Sequence, residues 1–248
     1  MTNALSRRPA VLGTISVLTA LALWEFAGRR ELSPALPPFS DVIAAFIELM
    51  NSDRFREAVV ATAQTVAVTY PVTVVVGVIL GVLMATIKPV RWALDPWVNL
   101  GLSLPLVSVI PVLIFVFGLD SATIVAVIVV YTLPVLIVNT ASGVRSVDPE
   151  LISMARSFGA GRSLMMRRVI LPGAAPLTVA GIRIGAGRAI RGAIVAEQLI
   201  GLIGLGGLIQ RLGGAFAVAE LYAAILFIGI IGVVTVALLG RMETRVVV

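Results

Sequence analysis

The sequence predicts an all-α integral membrane protein with about six transmembrane helices, and two observations carry that prediction. Of the 248 residues, 59% are apolar and 13% charged, against roughly 45–50% and 25% in soluble domains. The charges also stand between long uncharged runs instead of spreading along the chain as they do on a solvated surface. Cys and His are both absent. Thiol redox chemistry, Cys- or His-ligated metals and imidazole acid–base catalysis therefore lack their usual groups, and no cofactor or metal site of the chain's own is expected. The net charge of +6 does not point to nucleic acid, because the basic residues punctuate apolar runs rather than forming a solvated patch.

A crossing helix needs about 20 largely apolar residues to pass some 30 Å of hydrocarbon. The first candidate span runs over about 9–28, if Glu25 sits at headgroup level, and Arg7 and Arg8 before it suit a retained first helix better than a cleaved leader. Stretches 58–87, 96–119, 121–144 and 221–240 are uncharged throughout. A further stretch, 174–199, is hydrophobic but carries Arg183, Arg188, Arg191 and Glu197. Charge bias favours counting it. With the N-terminus inside, the cytoplasmic connections hold Arg7, Arg8, Lys88, Arg91, Arg145, Arg156, Arg162, Arg167, Arg168, Arg241 and Arg245, while the outer ones hold only Arg29, Arg30, Arg54, Arg56 and Arg211. Both termini are thus expected in the cytoplasm, with residues 1–248 forming one membrane-spanning domain.

Between the first two spans, Leu36-Pro37-Pro38 forces extended chain, after which Ser40 can cap a short helix bearing Val42, Ile43, Phe46, Ile47 and Met50 on one side. Such a helix either lies on the membrane surface or packs on other spans. Gly77/Gly81 and Gly181/Gly185 are small-residue pairs suited to close helix packing, and Pro71, Pro105, Pro111 and Pro134 are expected to kink their helices.

The connection 145–172 is the most informative segment. Asp148 is a good N-cap, Pro149 fits the first helical position, Glu150 complements the helix dipole, and Gly159 supplies a left-handed stop. The helix between them has only about ten residues and must dock on something to persist. Ala155 and Gly159, four apart, offer a small-residue notch for another surface.

These residues resemble the EAA loop of ABC importer permeases, whose pattern is Glu-Ala-Ala, three residues, Gly, nine residues, Ile-x-Leu-Pro. Ser153-Met154-Ala155, Gly159 and Val169-Ile170-Leu171-Pro172 fall in that register, with Ser153 and Met154 departing from the usual Glu and Ala. The resemblance extends from about Leu36 to the C-terminus through Asp95-Pro96, Pro105, Pro111 and Gly118, Gly181-Ile182-Arg183 and Ala196-Glu197. It is closest to sulfonate, taurine and nitrate permeases, from which Thr65 departs where that group often has Arg.

The resemblance implies a type I ABC importer permease fold, multi-pass in a bacterial inner membrane. It implies two permease copies, a pair of cytoplasmic ATPases carrying the ATP and Mg, and an external solute-binding protein. It places coupling to the ATPase on Glu150, Leu151, Ser153, Met154, Ala155, Gly159, Ala160, Leu171 and Pro172. ATP hydrolysis is expected on the partner, since the chain lacks a G-x-x-x-x-G-K-[ST] segment and the Gly201–Gly207 run, without a lysine, reads as an irregular turn.

Arg188 and Arg191 lie about 18 and 22 Å into the fifth span counted from Pro176. A central charge costs roughly 2.5–3.5 kcal/mol on insertion scales, so these side chains should face water or a partner. Either they attract an anionic solute in a translocation path, on which Glu197 is also placed, or one of them pairs with Glu197 or with backbone carbonyls at the subunit interface. A rival function is a stand-alone proton-coupled carrier using Glu197 or Glu25. The chain shows no internal repeat of the kind common in such carriers.

Overall fold

The computed structural model describes residues 3–201 and 204–246, and they form helices joined by short turns. In chain order these are α1 (Asn3–Arg29), α2 (Phe39–Met50), α3 (Asp53–Thr86), α4 (Lys88–Ser103), α5 (Leu106–Phe117), α6 (Ser121–Arg145), α7 (Pro149–Ser157), α8 (Arg162–Met165), a π-helical turn (Met166–Ile170), α9 (Leu171–Ile200), α10 (Gly204–Gly214) and α11 (Val218–Val246). Five described helices are long and apolar enough to cross a membrane, and α4 with α5 makes a sixth span if the bent pair counts as one. The third predicted span, 96–119, is therefore not a straight helix. Its chain turns by 111° between α4 and α5. The break comes at Pro105, which cannot continue the hydrogen-bond ladder and pushes Leu104 into an extended conformation (φ −68°, ψ 129°). Pro71 and Pro134, by contrast, lie within continuous α3 and α6.

The chain divides into two compact units. The first comprises residues 1–56 and 209–228. In it, the Trp24 indole donates to the Pro37 carbonyl at 3.0 Å, and its ring packs on Phe39 and Tyr222. Gly28 lets α1 approach the proline pair, since a Cβ there would lie 2.5 Å from the Pro38 Cα. The start of α2 differs from expectation. Pro38 occupies the capping position and Ser40 lies inside the first turn, where its N–H and hydroxyl donate to the Glu25 carboxylate at 2.9 and 3.0 Å. The predicted apolar side of α2 also splits: Val42 and Phe46 pack with Ala45 and Ala223, while Ile43, Ile47 and Met50 stay exposed. Of the two placements open for this helix, packing on other helices holds for two of these five apolar residues.

The second unit comprises residues 57–208 and 229–248, in which α6 and α9 pack extensively on each other. Its core joins Ile110 of α5, Ile124, Val127 and Ile128 of α6, and Ala189, Ala193, Ala196 and Ile200 of α9. The glycine pairs behave as predicted. A Cβ at Gly77 or Gly81 would fall 2.6 Å from Leu136 or Thr140 of α6, and one at Gly181 would fall 2.5 Å from the Asn139 Cβ. Lipid offers no hydrophobic drive for helix association, so this close approach is where contact energy comes from.

Candidate functional site

Two features of the second unit stand at the two ends of α9. At its N-terminal end, α7 is built as the sequence predicts. Asp148 accepts a hydrogen bond from the Glu150 N–H at 2.8 Å, and Pro149 opens the helix. At the other end Ala160 N–H donates to Ala155 O at 3.0 Å and Gly159 N–H to Arg156 O at 2.9 Å, with Gly159 at φ +77°. This is a Schellman stop, and it satisfies carbonyls that a short helix would otherwise leave open. A π turn then carries the chain into α9, with Leu171 N–H reaching back to Met166 O. Pro172 lacks the N–H that an α-helix would direct at Arg168 O, and the wider turn absorbs that loss.

Not one residue of α7 is buried. Ile152 and Ala155 are half-buried, and α7 touches α8 and the π turn. Leu151, Met154 and Phe158 are exposed at 50%, 55% and 85%, at spacings that put them on one helical stripe. Ser153, Glu150 and Gly159 lie beside that stripe, also exposed, as are Leu171 and Pro172 at the start of α9. Ala155 differs from expectation: it sits on the half-buried face with Ile152, so the predicted Ala155/Gly159 notch is not presented outward as a pair. Ala160 is likewise half-buried. Phe158 was not among the predicted coupling residues, although its place four after Met154 and seven after Leu151 was a usable signal. Arg145, Arg156, Arg162, Arg167 and Arg168 are all exposed around this surface, and no ion pair engages them among the described residues.

At the C-terminal end of α9, Glu197 is fully buried. Its carboxylate oxygens lie 2.9 and 2.8 Å from the Thr62 hydroxyl of α3, and one accepts the Gly206 N–H of α10 at 3.1 Å. The same Thr62 oxygen accepts the Leu205 N–H at 2.9 Å. One glutamate thus ties α9, α3 and the first turn of α10 together, and the first-turn N–H groups of α10 suit a carboxylate because they carry partial positive charge. Gly204, at φ +70°, and Gly206 leave no room for a Cβ, which would overlap the Glu197 side chain. The Gly201–Gly207 run is therefore not simply an irregular turn. Gly201 stops α9 at φ +76°, Gly204–Gly207 form the buried start of α10, and Leu202 and Ile203 lie outside the described residues.

Glu197 does not meet Arg188 or Arg191. The Arg188 guanidinium sits 5.0 Å from the centre of the Tyr131 ring, half-buried, and the Arg191 Nε donates to Gly187 O at 2.9 Å from an exposed position. The three predicted path residues are thus split between a buried joint, a ring-stacked arginine and an exposed arginine. Neither arginine pairs with Glu197, and the Arg191 bond goes to a carbonyl of its own helix.

Residues 74–247 match the family described as binding-protein-dependent transport system inner membrane component. The chain belongs to this family. It is a multi-pass inner-membrane subunit of an ABC importer. Among its relatives, a riboflavin transport system permease protein, RibX, of Chloroflexus aurantiacus is 35% identical over 96% of this chain and 90% of its own length. The taurine transport system permease protein TauC of Escherichia coli is 28% identical over 89% of this chain and 82% of its own. A solved inward-facing structure of the MetNI methionine ABC transporter shares the fold with a TM-score of 0.67 at 19% identity, covering 79% of this chain and 99% of that one. The long apolar helices, the family match and the shared fold agree with the all-α permease architecture predicted from the sequence.

Proposed function

We propose that this permease couples to a separate cytoplasmic ATPase pair through the exposed stripe of α7, receives its solute from an external binding protein, and lines the path together with a second copy of itself. ATP and Mg belong on the ATPase partner, and both termini of the permease lie on the ATPase side. The observation that carries this reading is α7: a nine-residue helix, closed at both ends, with no buried residue, and with the large apolar side chains of Leu151, Met154 and its cap residue Phe158 facing out. A helix of that length has little stability alone, so its preformed apolar stripe suits a docking partner.

The native chain has no cysteine, which makes site-directed cross-linking clean. In the assembled complex, Met154→Cys and Phe158→Cys should cross-link to the ATPase and Ile152→Cys, on the inward face, should not. Equal cross-linking at all three positions would remove α7 as an oriented docking element.

The solute is a small anion in this reading, and Arg191 is the residue that supports it. An exposed arginine on a membrane helix faces water or a second subunit more cheaply than lipid. Arg188, held over Tyr131, serves packing first. The relatives named for riboflavin and taurine do not share one named solute, so the anion assignment rests on Arg191 rather than on them. Arg191→Ala is expected to lower uptake of the ligand of the cognate binding protein about tenfold or more with the complex still assembled. Wild-type uptake by that variant would count against an anionic solute.

A further inference from the structure

The buried joint at Glu197 has no part in docking the ATPase or in an open path, yet it lies on α9, the helix to which α8 and the π turn touched by the docking segment lead. From Pro172 to Glu197, α9 rises about 37 Å. Along that length it is fixed to α6 by close approaches at Gly143 and Gly181, where added side chains would meet Ala174 O at 2.7 Å and the Asn139 Cβ at 2.5 Å. A displacement of α7 that passes through α8 and the π turn to the start of α9 therefore reaches Glu197 as a rigid-body movement of α9. At Glu197 three helices meet through directional bonds: α9 through the carboxylate, α3 through Thr62, and α10 through Leu205 and Gly206. Apolar helix faces can slide past one another in a membrane, whereas hydrogen bonds at a fixed position set register.

We propose that Glu197 is a positioning residue for transport, making α3 and the start of α10 follow α9 when the docking segment moves. The proposal rests on the coupling reading of α7. Its role is mechanical and needs hydrogen bonds but no titratable proton. A glutamine fits the same bonds: its carbonyl can accept from Gly206, its amide can donate to Thr62, and the Thr62 hydroxyl retains Ala58 O at 3.2 Å as an acceptor.

The test uses the full complex in lipid nanodiscs with spin labels on Val68→Cys of α3 and Leu199→Cys of α9, both exposed positions. Distances are measured without nucleotide and with ATP and vanadate. The expected result is one α3–α9 distance, unchanged by nucleotide, in the wild type and in Glu197→Gln. Glu197→Ala and Thr62→Val should each show a shifted or second distance once nucleotide is trapped. A nucleotide-dependent distance in the wild type would overturn the proposal, as would wild-type behaviour of both Glu197→Ala and Thr62→Val. Glu197→Gln behaving like Glu197→Ala would overturn it in favour of a proton-dependent role. A separate label pair at Met154 of the two copies reports the docking segment. Its failure to respond to nucleotide would overturn the coupling reading itself, so the two failures are told apart.

Discussion

The two ends of α9 solve the same local problem in opposite ways. Each adjoins a short helix whose first N–H groups need acceptors. At α7 the acceptor is Asp148, an exposed residue of the adjoining turn, and no α7 residue is buried. At α10 the acceptors are Glu197 and Thr62, from two other helices, and the first five residues of α10 are buried. The first helix is complete in its backbone and incomplete in its surface. The second is complete in both. A surface left open this way is where a partner supplies what is missing, while a closed joint fixes internal register.

If that contrast is right, substitutions at the joint should damage stability, and substitutions on α7 should damage function alone. The largest effect is expected for Gly206→Ala. Its Cβ would overlap Ile194 O and lie 2.5 Å from Gln198 N, and backbone atoms of α9 have no room to give. Overpacking of this kind costs about 3 kcal/mol or more. The measurement is thermal unfolding of the purified permease in detergent. An unchanged midpoint would show that α10 can leave α9 freely and would break the contrast.

On the open side, Phe158→Ala combined with Leu151→Ala removes two exposed side chains and no buried one. Surface changes of this type stay within roughly ±0.5 kcal/mol of wild-type stability. The unfolding midpoint should therefore hold while co-purification of the ATPase falls at least tenfold. Loss of both together would mean that α7 contributes to the permease's own core.

The contrast also marks what could be read in the sequence. Asp148, Pro149 and Gly159 announce α7 because caps and left-handed stops are local, each depending on one or two neighbours. The small-residue pairs at Gly77/Gly81 and Gly181/Gly185 were legible for the same reason. The Glu197–Thr62 pair was not, because its members are 135 residues apart and Thr62 is one of several threonines in α3. Without that partner, Glu197 resembled a path residue and the glycines of α10 resembled a loop. Pro105 signalled a break, yet the 111° turn depends on the packing of α5 against α6 and α9. The inward face of Ala155 was equally hidden, since it follows from contact with α8 and the π turn.

A second glutamate sharpens the comparison at its small end. Glu25, like Glu197, accepts from the first turn of a short helix, here through the N–H and hydroxyl of Ser40. Unlike Glu197 it is partly exposed and also receives the Arg29 Nε at 2.5 Å. Water can replace a lost bond at such a site, and exposed ion pairs contribute little. Ser40→Ala removes the hydroxyl and keeps the backbone donor, so its expected effect is the smallest of the series: no resolvable change in unfolding midpoint and wild-type uptake. A clear loss of uptake in Ser40→Ala would show that the Glu25 contact is also a register-setting joint. The difference between the two glutamates would then lie in which helix each positions rather than in burial.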